Sequence, residues 1–499
     1  MIQEVLLPLL VPFIGAIIIP LLGILFRKIG LERARDLIAT LIALGTIASV
    51  IYLYPSISEQ GVITFYYLFE PPTGACLRVD MLSWFMSFVF SNLGFLVTIY
   101  SITYMKKDTG LDEYYALLLA LIGGMNLVVY AGDLFTLFVA WELMSLSSYT
   151  LVSFRKETWE PVEAGFKYLV MSAFGSATIL YAISLIYGLT GTLNYEAIHQ
   201  ALQAAEANPS FYIIVGMLIV GFGVKASIVP LHTWLPDAHP AAPSSISAML
   251  SGVVIKNGVY CILRILLLAF PVTVLDYGTV IAIFAVLTMT VGNIMALLQE
   301  DIKRLLAYSS IANIGYIFAG ISVGMMSGVG EEAAILGIAG GLLHVLNHSI
   351  MKGMLFLCAG AFIHELGTRN LEELKGIGRK MPVTTFSFFI GCLAIAGVPG
   401  LSGFTSKLMI IWGAVVGGQI VLAALTLINS AFSVVYYLRL IHIILFAKPT
   451  REMEHVKEAP LLMLIPIVIL TIQIFLIGIV WPKVVFDVVE TAAKAVLKM

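Results

Sequence analysis

Apolar runs of about twenty residues recur almost without pause from Leu6 to Val480, and that recurrence constrains the chain more than any motif in it. Inside a bilayer every backbone polar group must be satisfied within its own segment, so each run reads as a spanning helix. About fourteen runs are counted, centred near Ala16, Leu44, Ser91, Leu119, Phe138, Phe174, Met217, Val254, Thr288, Ala312, Leu346, Ala396, Leu425 and Leu470. Only 12% of the 499 residues are charged and 60% are hydrophobic, with mean hydropathy +0.99, which excludes a soluble enzyme. A net charge of −2 argues against a nucleic-acid partner. The expected class is an all-α membrane protein, one polytopic domain over 1–499, retaining its first run from Val5 to Phe26 as a span.

With so few charges, their placement is the main evidence. Seventeen of the 28 lysines and arginines fall in one set of alternate loops, among them Arg27, Lys28, Lys303, Arg304, Arg369 and Arg451. Four (Arg78, Lys483, Lys494 and Lys498) fall on the other side, which puts both termini outside a cell membrane crossed many times. The remaining seven lie within runs: Lys167, Lys225, Lys256, Arg264, Lys352, Lys407 and Arg439. Among the acids only Glu142 is clearly mid-run.

The runs group into 1–105 (three helices), 114–269 (five), 279–446 (five) and 460–480 (one). Two successive five-helix units enter the membrane from opposite sides, as in an inverted-topology repeat. In each unit the fourth helix is broken, at GFGVKASIVPLHTWLPDAHPAAPSS and at AIAGVPGLSGFTSKLMI. Proline removes a backbone donor, so carbonyls at these depths need protein or water as partners. A lysine stands beside each break: Lys225 before Pro230 and Lys407 after Pro399.

A charge at the centre of a spanning helix costs about 2.5–3.5 kcal/mol. At about 1.5 Å per residue, Glu142 lies roughly 12 Å deep, Lys225 roughly 21 Å and Lys256 about 20 Å. Glu142 and Lys225 are expected to pair; because a nearby carboxylate relieves the desolvation of an ammonium, such a lysine can load and release a proton. The bland alternative is snorkelling or a static ion pair, which suits Arg264 and Arg439 as helix-end anchors, Lys167 beside Glu163, and Lys352 near an inner helix end. His344, His348 and Lys352 follow one helix face and are candidates for proton relay, as are His232 and His239 beside the first break. The pair lacks the glutamate of H-E-x-x-H and a third ligand, the four cysteines show no C-x-x-C spacing, and no nucleotide or flavin fingerprint occurs. No metal or cofactor is expected in this chain.

KASIVPLHTWLPDAHPAAPSSISAMLSG (Lys225 to Gly252), with WEL at Trp141 and EDIKRLLAYSSIANIGY at Glu300, resembles the antiporter-like subunits of respiratory complex I, Mrp-type cation/proton antiporters and membrane-bound hydrogenases. The resemblance covers nearly the whole chain. It implies a path through Glu142, Lys225, Lys256, the histidine region and Lys407. It also implies a non-redox, proton-translocating subunit of a redox-driven complex, with other membrane subunits and hydrophilic iron–sulfur subunits as partners and lipid around it. The alternative is a subunit of a sodium/proton antiporter without a redox partner. Lysine at the second break favours the Mrp-like and hydrogenase-like branches. The chain runs about 19 residues past its last run, without the lateral-helix extension of the longest members.

Overall fold

A computed structural model describes residues 2–31, 33–67, 74–203, 210–270, 276–449, 453, 455–480 and 482–497, so Arg451 and Lys498 of the topology count lie outside the described residues. Twelve helices among these are long and apolar enough to cross a membrane, from Glu4–Lys28 to Leu461–Val480. Three shorter apolar helices accompany them, Ser210–Ala226, Pro382–Ala396 and Ser402–Val416, and all three abut the two breaks. The protein is therefore a multi-pass helical membrane protein.

Its core lies where helices from both halves of the chain meet, and the apolar stretch of Ser244–Leu268 is buried throughout. In the most apolar 18-residue stretch of each helix, 94% of the residues are buried in Ile302–Val323 and 89% in Glu331–Leu366, against 28% in Glu4–Lys28, which presents leucines and isoleucines outward. With no hydrophobic drive between helices in lipid, close backbone approach decides which helices sit inside. Gly320, Gly337 and Gly341 supply that approach: a Cβ on Gly320 or Gly337 would lie 2.8 or 2.7 Å from the facing glycine's carbonyl oxygen.

One feature departs from an all-helical expectation. Val62–Tyr67 and Ala75–Asp80 form an antiparallel hairpin in the register Val62 to Asp80. The segments VITFYY and ACLRVD are rich in the β-branched and aromatic residues that suit a pleated surface. The hairpin ends on Asp80, which caps the helix Met81–Tyr104 through Ser83 N. Arg264 is no helix-end anchor: both its terminal nitrogens donate to Asp80 at 2.6 Å, and the two side chains are 2% and 0% exposed. Arg78 adds a bond to Asp80 at 2.7 Å. Burial alone would raise the Asp80 carboxyl; the Arg264 and Arg78 guanidiniums and the Ser83 amide bring it down to about 2.

Because the folded value lies below the ordinary aspartate value, the stabilisation is complete above about pH 4 and is lost as pH falls towards 2. Asp80→Ala leaves a buried guanidinium unpaired, at a cost of about 3–5 kcal/mol. A lowered thermal midpoint in detergent at neutral pH is the expected result, with the difference from wild type shrinking on acidification.

Candidate functional site: a buried row of lysines and histidines

The half-helix Ser210–Ala226 stops one residue after Lys225. Ser227 then takes φ +58°, a left-handed conformation uncommon outside glycine, and its buried hydroxyl has no partner. Lys225 is 1% exposed. Its ammonium donates to Tyr168 Oη at 3.0 Å and Ser172 Oγ at 3.4 Å. It also lies 4.6 Å from the Tyr168 ring centroid and 5.8 Å from that of Trp141. Tyr168 stacks on Trp234 at 3.8 Å, and Trp234 Nε1 closes the turn by donating to Val224 O at 2.8 Å. The expected Glu142–Lys225 ion pair is not made. Among the described residues no salt bridge within 4.0 Å includes Glu142, and its buried Oε1 has no hydrogen-bond partner. The reason is local: hydroxyls and ring faces already occupy the ammonium, so Glu142 acts on it only through space.

Lys256 follows a π-helical turn, Leu250–Val254, inside an otherwise α-helical span. Such turns free a carbonyl and are frequent at functional sites. Here Ser251 O accepts from the Lys256 ammonium, whose second partner is His348 Nδ1 at 2.6 Å. His344, one turn earlier on the same helix, lies 6.1 Å away between ring centroids. Its two nitrogens contact Ser406 Oγ at 2.9 Å and Asn313 Oδ1 at 3.0 Å. Ser406 adjoins Lys407, whose ammonium donates to Ile395 O at 2.8 Å and sits 4.9 Å from the Tyr316 ring centroid. Side chains from three elements thus connect Lys256 to the second break. Lys352 stands deep within a 36-residue helix, Glu331–Leu366, and not near its end; it donates to Leu306 O at 3.0 Å.

The remaining two histidines differ. His239 is fully buried, stacks on Phe356 at 4.6 Å, and has no hydrogen-bond partner at either ring nitrogen; Lys303, Lys352 and Lys256 are the charged groups facing it. His232 is only partly buried, with Nδ1 unpartnered, and joins none of these contacts.

Lys303 is the residue that sequence reasoning missed. Its place in EDIKR reads as a cytoplasmic loop charge, yet it is 3% exposed and donates to Pro240 O at 3.4 Å and to Ala242 O. The one available signal was its position just inside a helix capped by Asp301. Beside it opens a polar cavity of about 260 Å³ lined by Glu160, Glu163, Lys167, Asp237, Asp301, Arg304 and Arg369. Asp237 bridges Lys167 (3.0 Å) and Arg304, and Lys167 also holds Glu163 at 2.9 Å, the pairing its spacing suggested.

These features define a membrane protein whose interior holds buried lysines, histidines and hydroxyls packed about two broken helices. Residues 131–433 match the family described as NADH:quinone oxidoreductase/Mrp antiporter, transmembrane, and residues 73–115 match NADH-ubiquinone oxidoreductase (complex I), chain 5 N-terminus. The chain belongs to the first of these families. It is 31% identical to F(420)H(2) dehydrogenase subunit N of Methanosarcina mazei, over 93% of each chain. Among solved structures it superposes on a chain of the membrane-bound sulfane sulfur reductase, an archaeal respiratory membrane complex, with a TM-score of 0.88 and 31% identity, covering 99% of this chain and 98% of that one. It shares its fold with a chain of the Mrp complex from Dietzia sp. DQ12-45-1b (TM-score 0.87, 24% identity, 100% and 98% covered).

Gly403 lies one turn before Lys407, and a Cβ there would overlap the Ala394 carbonyl oxygen. Gly403→Ala should push the two half-helices apart and cut ion transport by at least about tenfold, since a misplacement of about 1 Å at a reacting group costs about a hundredfold. Gly188→Ala, with open space around it, should leave transport unchanged in the same vesicle assay.

Proposed function

We propose that this chain is a proton-translocating, antiporter-like subunit of a multi-subunit, redox-driven membrane complex, and that it performs no redox chemistry itself. The observation that carries the reading is a series of buried neighbours: Lys256 on His348, the His344 ring 6.1 Å from that of His348, Ser406 on His344, and Lys407 next to Ser406 in the chain. Imidazole takes up a proton on one nitrogen and releases it from the other, which suits a lateral relay at this depth. Lys303 and His239, beside the polar cavity, supply the cytoplasmic inlet in this reading. Glu142 tunes Lys225 through space, Lys352 supports the middle of the row, His232 lies off it, and Lys407 hands the proton to the far side.

The same reading assigns fourteen spans, counting the broken helices at 210–241 and 382–416 as one each. The first three precede two inverted five-helix units, 114–269 and 279–446, and a last span falls at 460–480. Both termini lie outside. The likeness to subunit N of a dehydrogenase and to a respiratory membrane complex supports other membrane subunits, and iron–sulfur subunits further off, as partners. No cofactor or metal is assigned to this chain.

A sodium/proton antiporter subunit is the alternative. Sodium seeks several oxygen ligands. A carbonyl at the second break, Ile395 O, is engaged by Lys407, and one at the far end of the first broken helix, Ala242 O, by Lys303, which favours the proton.

Lys225→Ala and Glu142→Ala, each in the assembled complex, should abolish proton uptake into vesicles while the complex still purifies intact. Wild-type flux in the double variant overturns the relay. Pumping that stops without sodium overturns the proton reading in favour of the alternative.

A further inference from the structure

A second buried polar link joins the two halves of this row. Lys352 sits 5.8 Å from the Tyr437 ring centroid, and Tyr437 Oη meets Ser309 Oγ. Tyr436 Oη approaches Ser309 Oγ at 3.3 Å and donates to Asn293 Oδ1 at 3.0 Å. Asn293 Nδ2 donates to Tyr316 Oη at 3.1 Å, and the Tyr316 ring lies beneath the Lys407 ammonium. Every side chain in the link is buried.

The link carries a carboxamide in series, Asn293, whereas in the histidine branch the Asn313 amide lies to the side of His344. Hydroxyls and imidazoles exchange protons, whereas a carboxamide accepts at oxygen and donates at nitrogen with its protons fixed there. Asn293 is held in one orientation: Oδ1 takes the Tyr436 hydroxyl, while Nδ2 also reaches Asn429 O at 3.1 Å and Asn429 Oδ1 at 3.2 Å. Asn429 is fixed in turn by donating to Thr290 Oγ1 at 3.1 Å and Leu425 O at 3.0 Å. The amide therefore interrupts this route and anchors the ring at its end.

We propose that Asn293 is a positioning residue: with Tyr436 and Asn429 it fixes the Tyr316 ring face under Lys407, where the ring stabilises the loaded ammonium, and it closes this route to protons. The proposal rests on the reading of Lys407 as a path residue. A ring face contributes most to an ammonium where both are desolvated, as here.

The test uses the intact complex reconstituted in vesicles, with assembly checked by size-exclusion chromatography and Lys407→Ala as the reference. Lys407→Ala is expected to be inactive. Tyr316→Leu, which removes the ring, should lose at least about tenfold in proton flux. Tyr316→Phe keeps the ring but loses the anchor and should lose about threefold, and Asn293→Leu should match it. Since the two act through one contact, the Asn293→Leu/Tyr316→Phe double variant should be no slower than either single. Wild-type flux in Tyr316→Leu beside an inactive Lys407→Ala overturns the proposal alone, as do multiplying effects in the double variant. So does a His344→Ala variant that still pumps and stops only when Tyr436→Phe is added, because the link would then conduct. Wild-type flux in Lys407→Ala overturns the path reading and this inference with it.

Discussion

Two helices that end inside the membrane leave carbonyl oxygens with no partner in their own segment, and the interior of this protein is arranged around that deficit. Lys407 donates to Ile395 O and Ala396 O at the end of Pro382–Ala396. At the first break Trp234 Nε1 donates to Val224 O, and at the far end of that broken helix Lys303 donates to Pro240 O and Ala242 O. The π-helical turn before Lys256 repeats the arrangement with Ser251 O. A cation at a helix C-terminus is also favoured by the peptide dipoles. The break needs a donor and the buried ammonium needs an acceptor, so each makes the other tolerable. A carbonyl acceptor is neutral, and a lysine that gives up its proton to a neighbour leaves no unpaired buried charge behind.

That distinguishes these lysines from the buried arginine Arg264. Its bidentate pair with Asp80 locks hairpin to helix, and breaking it strands a full charge at about 3–5 kcal/mol. Lys225, Lys352 and Lys407 rest instead against tyrosine and tryptophan faces worth about 0.5–2 kcal/mol each. Weak, neutral partners hold an ammonium in place without fixing its charge. The carboxylate pair serves architecture; the rings and carbonyls suit a charge that comes and goes.

The parts legible in the sequence were those with a local signature. Prolines in apolar runs marked both breaks, and a lysine in an apolar run is conspicuous, so Lys225 and Lys256 stood out by depth and Lys407 by its place beside the second break. His344 and His348 were visible through helical spacing, although their separate partners, Ser406 and Lys256, were not. What escaped depends on contacts distant in sequence. Asp80 and Arg264 lie 184 residues apart, and Asn293 and Tyr436 lie 143 apart. Lys303 was misplaced because EDIKR looks like a loop, and burial is not written in a charge run. The Glu142–Lys225 pair was expected on depth, but depth says nothing about the tyrosine and serine that already fill the ammonium's donors.

The two ends of the proposed path are chemically unequal. Lys225 has a carboxylate in range but not in contact, with one oxygen buried and unpartnered. Lys407 has carbonyls and a ring, with His344 reached through the neighbouring Ser406, and among the described residues no salt bridge to a carboxylate. Through-space attraction in a low-dielectric interior depends steeply on distance and on intervening water. Glu142 therefore bears on Lys225 from a distance, while among the described residues no carboxylate pairs with Lys407. A carboxylate in range at one end and neutral partners at the other make the two lysines unlike, and the difference arises from which residues were placed beside the two breaks.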